Sequence, residues 1–289
     1  MLVSTIIPAY NAAAFVREAV DSALAQEGVE QEIIVVNDGS TDATPQILAE
    51  YGDRIRVITQ ENRGVAASRN AGAAVARGEW LAFLDSDDIW RPRKLARQLA
   101  TAEDQTQLVF ALRENFGQPE RVALFLPNPP DELVVNTFQV LLIDNWVTTS
   151  TVILRRASFE RVGGFEVSRD LMGCEDWDLW LRLAAKGERF AFVSEPLVRY
   201  RWHGGGITSR FAQVHRARLL VFQRALNLGP VVEPSTQRKA MANLWATSAW
   251  VAEPASRWTA AWWYLRAVSY EPARLGLYKS ALRCVVGRI

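Results

Sequence analysis

Short apolar runs alternate with amphipathic stretches over the first hundred residues of the chain. The apolar runs have the length of buried strands and are residues 2–8, 33–36, 55–59 and 80–84. The stretches between them carry apolar positions at helical spacing and are residues 11–25, 44–51 and 65–76. This alternation predicts an α/β fold with a mostly parallel, twisted sheet and helices on both of its faces.

Each predicted strand ends in a polar, turn-rich segment. The four segments are Ala9-Tyr10-Asn11, Asp38-Gly39-Ser40, Asn62-Arg63-Gly64 and Asp85-Ser86-Asp87. Ligands of open parallel sheets bind outside the carboxyl ends of the strands, so the four segments are expected to form one continuous site. Asn11 is expected to cap the first helix, because Asn is a common N-cap residue.

The fourth predicted strand ends in three carboxylates within four residues: Asp85, Asp87 and Asp88. Negative charges at this spacing repel one another unless a cation lies among them. The alternative is a solvated acidic turn before a helix that begins near Pro92, since Asp is common in turns and caps. The residues alone leave both interpretations open.

Beyond residue 100 the pattern is less regular. Residues 107–125 contain two strand-like runs that predict a hairpin, and residues 149–154 and 197–202 predict two more strands. Glu175 and Asp176 open an amphipathic helix, and the pattern after residue 209 is helical. We therefore expect a helical appendage at the C-terminal end of the α/β part.

Composition narrows the class of protein. The 33 Lys and Arg residues nearly balance the 32 Asp and Glu residues, which argues against a nucleic-acid partner. Cys174 and Cys284 show no metal-ligand spacing and no disulfide framework, which fits a reducing cytoplasm. No signal-peptide pattern is present at the N-terminus, and no apolar run approaches the roughly 18 residues of a spanning helix.

Five motifs, in this order, resemble family 2 glycosyltransferases with the GT-A fold. They are Ile7-Pro8-Ala9-Tyr10-Asn11, Val36-Asn37-Asp38-Gly39-Ser40-Thr41-Asp42, Asn62-Arg63-Gly64 with Ser68-Arg69-Asn70-Ala71-Gly72, Asp85-Ser86-Asp87-Asp88, and Glu175-Asp176-Trp177-Asp178-Leu179. Each motif alone is weak, but five in order at predicted strand ends and helix starts are specific. The second motif has Asn37 where many relatives carry Asp.

The resemblance implies a GT-A domain in residues 1–209, with a nucleotide-binding half (1–100) and an acceptor-side half (101–209), followed by the helical extension 210–289. It also implies an inverting transfer of a sugar from a nucleotide-diphosphate donor, with UDP-sugars expected. The acceptor would be a hydroxyl of a saccharide or lipid-linked saccharide, in cell-surface polysaccharide or glycoconjugate synthesis. The protein would then work in the cytoplasm, at the inner face of the membrane.

The resemblance assigns roles to residues of the N-terminal half and to one histidine. The residues expected to bind the nucleotide are Pro8, Ala9, Tyr10, Asp38, Arg69, Asp85 and Ser86. Asp87 and His203 are expected to hold a divalent cation, Mn²⁺ or Mg²⁺, which offsets the charge of the leaving diphosphate. The alternatives are a surface helix position for Arg69 and a structural role for His203.

The resemblance also places the general base in the pair Glu175 and Asp176, with Asp176 preferred and Glu175 as the alternative. A carboxylate within hydrogen-bond reach of the acceptor hydroxyl can accept its proton. The alternative is that both residues complement the dipole at a helix start. Asp178 is expected at the surface or in a supporting position, and His215 at the surface.

The C-terminal helices are rich in Trp and in basic residues. Trp258, Trp262 and Leu265 share one helical face, and residues 257–289 contain six basic residues and one acidic residue. Such helices can make peripheral contact with a membrane. The alternative, which we expect for Trp262 in particular, is burial of the aromatic rings in a small helical bundle.

Three other functions are alternatives to a transferase. An aspartate-nucleophile phosphohydrolase could use Asp85 and Asp87, but it normally carries Asp-x-Asp on its first strand, and here the motif follows the fourth. A non-enzymatic scaffold at a membrane surface would explain the C-terminal Trp residues but not the acidic motifs. A dinucleotide-binding dehydrogenase is disfavoured, because the first strand-to-helix turn contains no glycine.

Overall fold

The computed structural model describes residues 1–117, 129–203 and 210–286, and its chain divides into two compact units. The first unit comprises Met1–Val134, Val147–Val167 and Gly187–His203. The second comprises Val135–Trp146, Ser168–Lys186 and Gly204–Ile289. The units are thus built from interleaved segments, and the boundaries inferred from the motifs, after residues 100 and 209, stay predictions.

The first unit is built on one mixed sheet, which has eight strands among the described residues. They are β1 (Leu2–Ala9), β2 (Glu30–Asn37), β3 (Arg56–Thr59), β4 (Trp80–Phe83), β5 (Ile89–Trp90), β6 (Thr106–Gly117), β7 (Ile153–Arg155) and β8 (Arg189–Trp202). The order across the sheet is β3-β2-β1-β4-β7-β6-β8-β5. The first four strands in the chain are parallel, as predicted, whereas β7 is antiparallel to both β4 and β6.

Helices flank the sheet and make up most of the second unit. In chain order they are α1 (Val16–Leu24), α2 (Thr44–Ala49), α3 (Val65–Ala74), α4 (Lys94–Thr101), α5 (Thr137–Ile143), α6 (Arg156–Arg161), α7 (Glu175–Ala185), α8 (Phe211–Leu226), α9 (Pro234–Ala252), α10 (Arg257–Tyr270) and α11 (Leu275–Val286). α1 to α4 and α6 belong to the first unit, and α5 with α7 to α11 belong to the second. The predicted α/β class and the helical C-terminal part are confirmed.

Burial explains why the apolar runs of the sequence predicted the strands. All four residues of β4 are fully buried, because a central parallel strand is covered on both of its faces. α3 lies against β1 so closely that a Cβ atom at Gly72 would lie 2.6 Å from Cγ2 of Ile6. This glycine therefore sets the distance between the helix that carries Arg69 and the strand beneath it.

Several local predictions need correction. Asn11 does not cap α1, which begins at Val16; it has a positive φ of 47°, and its Oδ1 accepts a hydrogen bond from the Thr41 amide at 2.8 Å. The segment Thr149–Thr151 is a 3₁₀ helix that precedes β7. β6 pairs with β7 and β8; the second run of the predicted hairpin lies outside the described residues, so the hairpin stays a prediction.

The second unit contains a buried cluster formed by α9, α10 and α11. Trp245, Trp263, Tyr264 and Leu277 are among its members. The expected burial of Trp262 is wrong, because its side chain is 55% exposed while Trp263 beside it is buried. Across residues 1–117, 129–203 and 210–286, no helix is both long and apolar enough to cross a bilayer.

Two further polar residues of the second unit are buried: Asp178, expected at the surface or in a supporting position, and His215, expected at the surface. Asp178 forms ion pairs with Arg182 at 2.7 Å and with Arg224 at 3.2 Å. His215 lies between aromatic rings, with centroid distances of 4.2 Å to Trp263 and 4.4 Å to Trp245. Both positions lie on helices whose sequence pattern does not reveal that a second helix covers them.

Burial, together with the charges of Arg218 and Arg216, lowers the pKa of His215 from 6.5 to about 4. The unfolded chain then takes up a proton near pH 6.5, which the folded protein takes up only near pH 4. Stability conferred by the neutral ring is therefore fully present above pH 6.5 and is lost as the pH falls towards 4, by on the order of 3 kcal/mol at most.

We expect His215→Phe to remove this part of the pH dependence, since Phe keeps an aromatic ring and cannot be protonated. The buried His215 Nδ1 has no hydrogen-bond partner within the described part of the chain, so the change leaves no donor or acceptor stranded there. Urea unfolding of both proteins at pH 4.5 and pH 7 measures the effect. Parallel stability changes in the two proteins would contradict the assignment.

Candidate active site

The carboxyl ends of β1 and β2 are joined by hydrogen bonds between the loops that follow them. The Asn11 amide donates to Oγ of Ser40 at 3.0 Å, and the Ala12 amide donates to Oγ1 of Thr44 at 2.9 Å. The Thr41 amide donates back to the Asn11 side chain. Two of the predicted turn-rich segments therefore form one connected edge.

Asp38 lies at the end of β2 and is buried. Its carboxylate accepts hydrogen bonds from the backbone amides of Arg63 at 3.0 Å and Gly64 at 2.8 Å, and from Nε2 of Gln60 at 2.7 Å. Gly39 beside it has a φ of +72°, and a Cβ there would lie 2.9 Å from the Asn62 nitrogen. Asp38 thus holds the loop that precedes α3, a role that the sequence interpretation did not include.

We expect Asp38→Ala to lower the free energy of unfolding by about 3 kcal/mol, because it leaves two backbone amides of this loop without their charged acceptor. Asp38→Asn retains an acceptor oxygen and should cost less. Asp53→Ala, at an exposed turn position, is the matched control and should change stability by less than about 0.5 kcal/mol. Chemical unfolding of the three variants checks this, and an Asp38→Ala protein as stable as the control would contradict it.

Arg69 is buried on α3 and reaches the end of β4. Its Nη2 donates to Oδ1 of Asp85 at 2.6 Å, and its guanidinium carbon lies 5.1 Å from the ring centroid of Phe165. Asn70 fixes Phe165 through two hydrogen bonds with its backbone, at 2.8 and 2.9 Å. The surface position considered for Arg69 is therefore wrong, and the motif residues Arg69 and Asn70 act together.

The acidic turn after β4 is held from two sides. The Asp85 amide donates to Oγ of Ser150 at 3.1 Å. Arg201 donates from its backbone amide to Oδ1 of Asp88 at 2.9 Å and from Nε to the carbonyl oxygen of Asp87 at 2.7 Å. Asp88 is fully buried, and this burial together with the Asp87 and Asp85 charges raises its pKa well above the usual value.

His203 meets Asp87 across 116 positions of sequence, with Nε2 at 2.9 Å from Oδ2. The His203 ring packs against Phe15 at a centroid distance of 5.0 Å. Burial and the charge of Asp85 raise the pKa of the Asp87 carboxyl, while His203 opposes this rise. The structure thus brings together the two residues that the resemblance implied as metal ligands.

The other predicted nucleotide-binding residues occupy the same edge. Pro8 and Ala9 are buried at the end of β1, where they pair with Val36 and Asn37 of β2. Tyr10, which follows, is exposed. Ser86 is partly exposed in the acidic turn.

The described residues at this edge supply only part of the coordination that a divalent cation needs. In the described ranges, no group of three or more His, Cys, Asp or Glu side chains is arranged to hold a metal ion. Asp87 and His203 offer one oxygen and one nitrogen, and burial together with the neighbouring negative charges raises the pKa values of Asp87 and Asp88. Mg²⁺ commonly takes one or two protein carboxylates and completes its coordination with phosphates and water, so these residues fit a cation that arrives with a diphosphate.

Glu175 and Asp176 lie in the first turn of α7, in the second unit. Glu175 is buried, and its Oε2 accepts a hydrogen bond from the Gly173 amide at 2.8 Å. Asp176 is more exposed; its Oδ1 accepts hydrogen bonds from the Trp177 amide at 2.6 Å and from Nδ2 of Asn145 at 3.3 Å. Of the two carboxylates, Asp176 is therefore the more accessible to an incoming hydroxyl.

Three residues of the site escaped the sequence analysis: Gln60, Ser150 and Arg201. Gln60 stands two positions before the motif that begins at Asn62, and Arg201 stands two positions before His203, so proximity to a motif or a candidate residue was the available signal. Ser150 carried none, because its contact with Asp85 joins segments 65 positions apart.

The sequence comparisons identify the family of the chain. The model of the family described as glycosyl transferase family 2 matches residues 4–162, more than half of the chain. The chain therefore belongs to glycosyl transferase family 2, and the expectation drawn from the five motifs is confirmed.

Two curated relatives cover similar parts of the chain. An uncharacterized glycosyltransferase of Rickettsia prowazekii is 33% identical over 72% of this chain, which spans 66% of that relative's length. UDP-Glc:alpha-D-GlcNAc-diphosphoundecaprenol beta-1,3-glucosyltransferase WfaP of Escherichia coli is 32% identical over 72% of this chain and 80% of its own.

A solved structure supports the fold over nearly the whole length. The mannosyltransferase PcManGT of Pyrobaculum calidifontis, in complex with GDP-Man and Mn²⁺, has a TM-score of 0.65 and 20% identity, covering 99% of this chain and 88% of that one. The predicted GT-A fold is confirmed.

Proposed function

We propose that this protein transfers a sugar, with inversion, from a nucleotide-diphosphate donor to a hydroxyl of a saccharide or lipid-linked saccharide. The observation that carries the proposal is the pairing of two carboxylates at the end of β4, Asp85 with buried Arg69 and Asp87 with His203. Membership of a glycosyltransferase family supports the reaction class, and synthesis of a cell-surface polysaccharide or glycoconjugate is the proposed setting.

In the proposed donor site, the pair Asp85–Arg69 and the pair Asp87–His203 have different roles. Asp85 would accept hydrogen bonds from the ribose hydroxyls, and Arg69 would hold its carboxylate in position. Asp87 and His203 would hold Mn²⁺ or Mg²⁺; when bound, the cation would stabilise the negative charge of the departing diphosphate. Pro8, Ala9 and Tyr10 would border the base, at the end of β1, and Ser86 would contact the nucleotide from the acidic turn.

The acceptor side of the reaction requires a base. In the proposed mechanism Asp176 removes the proton of the acceptor hydroxyl as that oxygen attacks the anomeric carbon. Hydrogen bonds from the Trp177 amide and Asn145 fix the orientation of the Asp176 carboxylate. Glu175, with its carboxylate buried against the Gly173 amide, is placed to fix the start of α7.

The donor and acceptor classes are proposed from the relatives. The name of WfaP specifies UDP-Glc and a diphosphoundecaprenol-linked acceptor, which supports a UDP-sugar and a lipid-linked saccharide here. The PcManGT complex contains GDP-Man, so GDP-sugars are the alternative to test. A lipid-linked acceptor and a cytoplasmic donor would place the reaction at the inner face of the membrane.

Isothermal titration calorimetry with UDP and GDP, each with and without Mn²⁺, tests the donor site. We expect binding of one nucleoside diphosphate that depends on the metal. Absence of nucleotide affinity, together with hydrolysis of small phosphate esters, would support the phosphohydrolase instead.

A further inference from the structure

One side of α10 presents large apolar residues to solvent. Trp258, Trp262 and Leu265 are 72%, 55% and 54% exposed. At about 100° per residue they lie within an arc of roughly 60° on the helix surface. The opposite side, which includes Trp263 and Tyr264, is buried in the cluster of the second unit. The exposed side is therefore apolar, and it touches this core through Trp262, whose ring centroid lies 5.6 Å from that of Trp245.

The next helix repeats this arrangement. The exposed stripe of α11 consists of Leu275, Tyr278, Leu282, Val285 and Val286, which are between 43% and 70% exposed. These residues span an arc of about 100° at 100° per residue. Another side of the same helix is buried through Leu277, Ala281 and Cys284. α11 thus has two apolar sides, and the protein's own core covers only one of them.

Basic residues accompany the exposed apolar residues. Lys279 and Arg283 lie along one border of the α11 stripe, where Arg283 is also ion-paired with Glu253 at 2.8 Å. Arg266 lies 6.0 Å from the ring centroid of Trp262 on α10. Residues 257–286 contain five basic residues and a single acidic one, Glu271. An apolar surface with a positive border is complementary to a bilayer whose headgroups are anionic.

We propose that α10 and α11 form a docking surface for an anionic lipid bilayer. The exposed side chains, two Trp and one Tyr together with Leu and Val, are types that lie at membrane interfaces. α11 has twelve residues and is about 18 Å long, shorter than the roughly 30 Å hydrocarbon core, so it would lie along the interface. None of the residues of this surface has a role in the proposed transfer reaction. Binding through it would bring the protein close to a lipid-linked acceptor.

Charge argues against a second copy of the chain as the occupant of this surface. Two copies that met through α10 and α11 would bring Arg266, Lys279 and Arg283 of each copy towards those of the other. Like charges brought together at an interface oppose association, whereas anionic headgroups are attracted to the same residues.

Vesicle co-sedimentation of the full chain tests the proposal without any sugar donor. We expect binding to vesicles of phosphatidylcholine and phosphatidylglycerol, weaker binding to phosphatidylcholine alone, and a decrease with rising salt on the anionic vesicles. Because nucleotide binding is not measured, failure here and failure of the proposed transferase can be told apart.

Two variants separate the apolar and the charged contributions. Trp258→Ser combined with Leu282→Ser should weaken binding by about a hundredfold, since each of the two large apolar side chains removed from water contributes about tenfold. Lys279→Gln should weaken binding to anionic vesicles by about fivefold and leave binding to neutral vesicles unchanged. Val231→Ser, at a position 92% exposed outside both helices, and Arg93→Gln are the matched controls.

The unfolding midpoint of each variant must match that of the wild type. We expect this match because the substituted side chains are exposed and contribute little to the core. The proposal is overturned if the wild type does not bind anionic vesicles, or if the Trp258→Ser and Leu282→Ser double variant binds as the wild type does. A dimer in sedimentation velocity that the same double variant abolishes would assign the surface to a second copy and also overturn it.

Discussion

Asp176→Asn should leave donor affinity unchanged and lower the rate of sugar transfer by a factor of roughly 10² to 10⁴, the usual scale for loss of a general base. The amide is nearly the same size and can still accept from the Trp177 amide, so the start of α7 should keep its structure. Nucleotide binding by calorimetry and transfer by product assay separate the two effects. A stable variant with near-normal transfer would contradict the role of Asp176.

Glu175→Gln is the matched control for this experiment. The Glu175 carboxylate is buried and accepts a hydrogen bond from the Gly173 amide, so its replacement is expected to affect stability more than transfer. If instead Glu175→Gln abolishes transfer while Asp176→Asn does not, the base is Glu175, the alternative that the motif left open.

Asp87→Ala should weaken Mn²⁺-dependent binding of the nucleoside diphosphate by at least about 100-fold. The cation that Asp87 would hold would stabilise the bound diphosphate by several kcal/mol. Binding without metal should change little. The side chain is partly exposed and lies outside the core, so the fold should persist. Calorimetry with and without Mn²⁺ measures both quantities.

The control for Asp87→Ala is Asp42→Ala, which alters a carboxylate in the loop after β2 that accepts hydrogen bonds from the amides of Ala13 and Thr44. It should retain the metal dependence of nucleotide binding. If Asp87→Ala binds donor and metal as tightly as the wild type, Asp87 is not a metal ligand.

The parallel half of the sheet and its site were predictable because their signals are local. The apolar run of β4 reflects burial on both faces, and the turn residues after each strand reflect sharp reversals at one edge. The sequence identified Gly72, Asn70 and Arg69 as one motif, and the structure explains each residue. Gly72 allows close packing on β1, Asn70 hydrogen-bonds to the backbone of Phe165, and Arg69 pairs with Asp85.

What escaped prediction depends on contacts between distant segments. His215 was expected at the surface, yet rings from α9 and α10 enclose it, and no pattern within α8 indicates this. Trp262 and Trp263 are neighbours with opposite environments, which depend on where α9 packs against α10. Arg201 and Ser150 hold the acidic turn from segments more than 60 positions away.

The structure also weighs against the phosphohydrolase. A nucleophilic aspartate attacks through a carboxylate oxygen, whereas Oδ1 of Asp85 is ion-paired with buried Arg69 and its backbone amide donates to Ser150. Asp87 is in contact with His203. These contacts, together with membership of glycosyl transferase family 2, favour a site that binds a nucleotide-sugar.

The most direct test of the central claim is turnover of a panel of UDP- and GDP-sugars with Mn²⁺ or Mg²⁺ and a lipid-linked saccharide acceptor. We expect release of the nucleoside diphosphate from one donor, loss of that release on chelation of the metal, and a glycosidic product whose anomeric configuration is opposite to that of the donor, as shown by NMR. A product that retains the donor configuration would contradict the inverting mechanism, and no turnover or binding of any donor would contradict the proposed function.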